Sequence, residues 1–213
     1  MRANLLGPMC LWLFSMPAVA YGQQAAGQIV DKLATTIPPP VIQGEPGEQR
    51  AKYSKFDPAE RDRVRALLSS LSSETEKLWP ELVGHLQDHR YSLTVGSDAG
   101  YPTNWTVGEA CQELIGSSLS VAYYRHLDGS KSNYHHYSLP EIAKDKAKLR
   151  TWCVARKDKK LYELQIECCE WALKEIGDSK MEAAVKERTS EAVRKEIAGL
   201  KKSRTAVPST RSF

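Results

Sequence analysis

Apolar residues recur along much of the chain at the three- and four-residue steps of an α-helix. Val107, Cys111, Leu114, Ser118 and Val121 follow one another at steps of four, three, four and three, which places Cys111 on the buried stripe of an amphipathic helix. Thr106 and Glu109 stand ahead of that run at the capping-box spacing. Asp57-Pro58-Ala59-Glu60 opens an earlier helix: Asp57 can cap it, Pro58 suits the first turn, and Glu60 faces the positive end of the dipole. This helix reaches Leu71 and buries Val64, Leu67, Leu68 and Leu71. Ser73 and Glu76 repeat the capping spacing before Leu78, Leu82, Val83 and Leu86, with Pro80 either kinking the helix or marking its start. That helix is expected to fade near Tyr91, and Gly96, Gly100 and Pro102 predict a loop over 92–104.

Ile142, Leu149 and Cys153 recur at steps of seven and four after a start at Ser138–Glu141. The last helix begins near Asp178 or Ser179 and runs to Lys202. Its apolar face of Met181, Ala184, Val185 and Ala192 is thin, so it is expected to project from the body, with Glu182/Lys186 and Glu191/Lys195 spaced for i,i+4 pairs.

The stretch LYELQIECCEWALKEI, residues 161–176, is apolar over more than half of a helical circumference. Leu161, Leu164, Cys168, Trp171 and Ala172 share one side, and Tyr162, Ile166, Cys169, Leu173 and Ile176 the adjoining one. A helix so widely apolar packs against more than one neighbour. Cys168 and Cys169 point about 100° apart and so face two different neighbours. Period-two alternation of Tyr162, Leu164, Ile166 and Cys168 also permits a β-hairpin at 149–168. Helix is the favoured reading, since CCEWALKEI continues in helical composition.

The first twenty residues combine a cationic start at Arg2, an apolar run from Leu5 to Met16 and the small-residue ending Ala18-Val19-Ala20. That is the pattern of a secretory signal peptide; the run is shorter than the roughly 20 residues of a membrane span. Export bears on the cysteines. Of the five, Cys10 would be removed, leaving Cys111, Cys153, Cys168 and Cys169, an even number in an oxidising compartment. Two disulfides are therefore expected, with Cys111 and Cys153 as partners of the doublet in either combination. A bond within the doublet, four free buried thiols, and a four-thiolate metal site are the competing readings. Cys153 and Cys168 on one straight helix would lie about 22 Å apart, against the roughly 4–7 Å a disulfide needs. The chain must reverse between them, and Arg156-Lys157-Asp158-Lys159-Lys160 is the polar place to do it.

A formal charge of +4 over 213 residues is mild and argues against nucleic acid as a partner. No later stretch is apolar enough to span a membrane. The expected organisation is a signal peptide at 1–20, a disordered Pro- and Gly-containing tether at 21–55, a helical domain at 56–177, a charged C-terminal helix at 178–202 and a disordered tail at 203–213. The fold class is all-α, a small disulfide-stapled helical bundle, with an α+β arrangement containing the hairpin at 149–168 as the alternative.

Candidate chemistry is sparse, and no cofactor motif is present. His85 and His89 stand at i,i+4 on an expected helix, a spacing that lets two imidazoles reach one metal, although no HExxH glutamate accompanies them. The segment YYRHLDGSKSNYHHYS, residues 123–138, gathers Tyr123, Tyr124, Arg125, His126, Tyr134, His135, His136 and Tyr137 around a Gly-Ser turn. Tyr and Arg supply amphipathic contact area that suits recognition of a protein, peptide or sugar. Glu167 and Glu170 read as the wet edge of their helix rather than an acid/base pair, and GxSxG is absent. Asn104-Trp105-Thr106 matches a glycosylation acceptor. The function expected from these features is an exported, periplasmic or extracellular, non-catalytic interaction module binding a protein or envelope partner. A metal-binding protein using His85 and His89, and a hydrolase with a site assembled from scattered residues, are the alternatives.

Overall fold

A computed structural model describes residues 28–44, 50–52, 55, 57–96, 102–119, 121–127, 131–137 and 145–205. The segment expected to be a signal peptide, the tail after 205 and the start expected at Ser138–Glu141 lie outside them. The chain is mostly helical, with three two-stranded antiparallel sheets. In order it forms β1 (Val41–Gln43), β2 (Arg50–Lys52), α1 (Pro58–Ser72), α2 (Thr75–Gly84), a 3₁₀ turn (His85–Gln87), β3 (Tyr91–Gly96), β4 (Pro102–Thr106), α3 (Val107–Leu119), β5 (Val121–Leu127), β6 (Lys131–Tyr137), α4 (Lys146–Val154), α5 (Leu161–Asp178) and α6 (Ala183–Thr205).

Local chemistry sets several of these starts. Asp57 Oδ1 accepts from the N–H groups of Ala59 and Glu60, and Asp145 Oδ1 from those of Ala147 and Lys148. At α3 the capping box closes both ways: the Thr106 N–H donates to Glu109 Oε2 at 2.6 Å and the Glu109 N–H to Thr106 Oγ1 at 3.2 Å. The box expected at Ser73 does not form. Helix α2 starts at Thr75 after an uncapped Glu74, and Pro80 lies inside it.

The doublet lies in α5, as the helical reading expects, and the region of the alternative hairpin is α4, a turn and α5. The chain reverses across 155–160. There Arg156 donates to Glu167 Oε2 at 2.6 Å and stacks 4.5 Å over Trp152, while Lys159 also pairs with Glu167. Leu164, Cys168, Cys169, Ala172 and Ile176 of α5 are all buried. The two sulfurs do face different neighbours: Cys168 is within electrostatic reach of Cys153 and Arg156, Cys169 within that of Glu196 on α6.

The staples are a correction. Cys111, Cys153, Cys168 and Cys169 are all free thiols, each at most 1 % exposed. They serve as small apolar residues in the core, which the step pattern cannot distinguish from half-cystines, because both occupy a buried stripe.

Three further expectations are corrected. The tether is not a tether over 28–40: Val30 and Leu33 are 0 % exposed and belong to the main core. A short turn of helix at 28–31 brings both apolar side chains to one side. Helix α6 does not project; Val193 is fully buried, Ile197 and Leu200 pack against the core, and the helix lies along α5 and β5. Among the described residues neither i,i+4 pair expected there, Glu182/Lys186 or Glu191/Lys195, forms an ion pair: Glu182 precedes the helix, Lys186 donates to the Gly177 carbonyl, and the ion pair on α6 is Glu187 with Arg194. Of the loop expected over 92–104, the described residues 92–96 and 102–104 belong to paired strands, since Tyr91, Leu93, Val95, Trp105 and Thr106 are good strand residues and Gly96 and Pro102 fall at the ends of the strands.

Candidate functional site

The polar side chains that the fold brings together meet where α2 ends and β3 begins. Gly84 ends α2, and a 3₁₀ turn over His85–Gln87 buries Leu86 and turns the chain into an extended Asp88. Helix α3 then docks its first amides on this segment: the Val107 N–H donates to the Arg90 carbonyl at 2.8 Å and the Gly108 N–H to the Asp88 carbonyl at 2.9 Å. Only a glycine allows that approach. A Cβ at Gly108 would stand 2.6 Å from the Leu86 carbonyl oxygen.

On this platform His85 Nδ1 lies 3.1 Å from Asp88 Oδ2. The Arg90 guanidinium pairs with Asp88 Oδ2 at 2.5 Å and with Asp31 Oδ1 at 2.6 Å, and so ties the N-terminal strap to the body. Hydrogen bonding from the Arg90 guanidinium holds the Asp88 carboxyl far below the usual carboxylate range, against the opposing effect of burial. The same pairing raises the Arg90 guanidinium further above its ordinary value. On α1, Arg63 reinforces the strap, donating to the Lys32 carbonyl at 2.7 Å while bound to Glu60.

Asp31, His85 and Asp88 offer ligand atoms within 4.8 Å of one another, the geometry of a possible cation site. His89, the partner expected for His85, is not in this group: the helix has already ended, and His89 lies on an exposed, extended stretch. Asp31 and Asp88 carry no sequence signal for this meeting. Asp31 is 54 residues upstream of His85 and falls in the stretch read as tether.

The aromatic and basic residues of 123–127 and 131–137 lie on two paired strands. The backbone register sets Tyr123 opposite His135, Tyr124 opposite Tyr134, Arg125 opposite Asn133 and Ala122 opposite His136. His126 pairs with Ser132, and Tyr137 with Val121. Strand β5 runs against α6 and α5. Of the four buried thiols, Cys111 lies within electrostatic reach of Asp88, and Cys153 within that of Cys168. Burial pushes Cys111, Cys153 and Cys168 up to about 12 and Cys169 to about 11, so none of them is an activated nucleophile.

Among the described residues no helix is long and apolar enough to cross a membrane. Comparison of the chain with known protein families, with curated proteins and with solved structures finds no match in any of the three.

Proposed function

We propose that the protein is an exported, non-catalytic binding module that presents the β5–β6 hairpin to a protein partner in the cell envelope or the extracellular medium. Export is carried by the pattern of residues 1–20. The observation that supports the binding role is the register of β5 with β6, which sets four tyrosines, three histidines and Arg125 on two paired strands backed by helices. Strand pairing fixes the backbone in advance, so a partner would not have to order a loop. Tyr and Arg are also the residues that most often anchor interfaces.

The test uses the intact chain and a Tyr124→Ala/Tyr134→Ala variant, immobilised side by side and exposed to the exported fraction of the source cells. A protein retained by the parent and lost from a variant with unchanged circular dichroism supports the reading. Identical retention by both removes it.

A second reading, metal binding, draws on Asp31, His85 and Asp88. Arg90 already pairs with both carboxylates, so a divalent ion has to displace a guanidinium. Calorimetric titration with zinc checks this reading, and heat that His85→Ala leaves unchanged removes it.

A further inference from the structure

Next to the charged node lies a polar group that nothing in the fold uses. Tyr91 pairs with Thr106 and Leu93 with Trp105, so Ser92 is the extra residue of a bulge, a device that re-aims side chains. Ser92 is 2 % exposed, and its Oγ has no hydrogen-bond partner. Leaving a buried hydroxyl unpaired is unfavourable, and such groups in native structures call for an explanation. Ser92 lines a cleft of about 330 Å³, measured with its open mouth, between the strap, the start of α1 and β3. The inner part is narrow, so only a slender group such as a hydroxyl reaches Ser92.

The other lining groups define what fits. Lys55 and Arg61 stand beside Asp57 and Glu60, so the lining carries both signs, with Arg61 paired to Asp62 outside it. Glu60 is committed to Arg63 at 2.6 and 2.7 Å, and Thr35 Oγ1 accepts from the Ile37 N–H at 3.1 Å. The Tyr91 hydroxyl is taken up by Thr94 Oγ1 at 2.7 Å, which leaves its ring as a wall beside Ile37 and Leu93. Asp57 spends Oδ1 on its helix cap and keeps acceptor capacity at Oδ2. What these groups offer is one hydroxyl that both donates and accepts, one carboxylate oxygen that accepts, the donor groups of Lys55 and Arg61 at the lining, and an apolar wall.

We propose that this cleft binds the edge of a neutral sugar. One sugar hydroxyl enters to pair with Ser92 Oγ, a neighbouring hydroxyl donates to Asp57, and the C–H face lies on Tyr91, Ile37 and Leu93. A ligand of net charge meets a like charge beside every counter-charge, whereas adjacent neutral hydroxyls can both donate to Asp57 and pair with Ser92.

The test is amide-resolved NMR titration of the intact chain with glucose, galactose and mannose, and with inorganic phosphate and ethylammonium as charged controls. At least one hexose is expected to bind in the millimolar range, with shifts at Thr35, Asp57 and 91–93. Ser92→Ala removes an unpaired hydroxyl and is expected to keep the melting temperature while weakening that binding at least about tenfold. Asp57→Asn keeps the cap, since Asn caps as well as Asp, and is expected to weaken it about threefold or more. Absence of shifts with every hexose, retained binding in Ser92→Ala, or equal binding of phosphate or ethylammonium overturns the proposal. The hairpin variant Tyr124→Ala/Tyr134→Ala is expected to bind the sugar unchanged, which separates this site from the partner reading; a matching loss there overturns the assignment to Ser92.

Discussion

Two regions of the molecule are fastened in opposite ways. On one side α5 lies along α6 and α3, and α4 along α2 and α3, through apolar contact: Leu149, Cys153, Leu164, Cys168, Cys169, Ile176 and Val193 are all at most 1 % exposed. On the other side the strap at 28–40 adds only Val30 and Leu33 to the core as fully buried large side chains, and its fastening is largely polar. Arg90 grips Asp31, Arg63 grips the Lys32 carbonyl, the Thr35 N–H donates to the Tyr91 carbonyl at 3.0 Å, and Asn104 donates to the Pro40 carbonyl at 2.8 Å. Apolar burial scales with area and is indifferent to pH and salt near neutrality, whereas partly exposed ion pairs are weak and screened. The helical side therefore carries the global stability, and the strap is the part that opens first. Both candidate binding features of the 85–93 segment lie under that weaker cover.

The largest expected effect comes from breaking the helical side. Leu164→Ala in α5 should cost about 2–5 kcal/mol, read as a lower midpoint in urea unfolding with all probes moving together. A loss confined to one probe would show that α5 is not central. Arg90→Ala should cost less, about 1 kcal/mol, because its side chain is 51 % exposed and its pairs are solvated. Its signature is local: amide exchange and protease cleavage should quicken over 28–40 while α5 and α6 keep their protection. Uniform loss of protection would erase the contrast between the two regions.

The finest distinction is the direction in which pH loosens each side. Asp88 is held below its ordinary value of 3.8 by Arg90, so its contribution is present above that value and fades as pH falls beneath it. The four thiols are raised by burial above their ordinary 9.0, so their contribution is intact below 9.0 and is lost as pH rises towards 11 to 12. Acid below pH 3.8 should speed exchange first in the strap, and alkali above pH 9.0 first in α3, α4 and α5. The same order of opening at both extremes would contradict the assignment.

How much of this was legible depends on the range of the interaction. The α3 box at Thr106 and Glu109, the Asp57 cap and the helical doublet follow from residues within a few positions of one another, and all three are present. The pair His85 and His89 fails for a local reason too, since the helix stops at Gly84 before the second histidine. What single-chain spacing could not reveal was contact across distance: Asp31 with Arg90, and Pro40 with Asn104. The Ser92 hydroxyl is a further case, because a buried orphan in a bulge looks in sequence like any serine of a loop.

The sequence alone determined where helices begin, that the α5 stretch is nearly submerged, and that its adjacent sulfurs look two ways, because helical pitch and caps act over a single turn. Only the tertiary structure decided that those sulfurs stay unbonded, that a proline-rich lead segment lies down on the core, and that the tyrosine-rich stretches 121–127 and 131–137 pair as strands. Each of these turns on which distant surfaces meet, and a pattern with a period of a few residues carries no information about that.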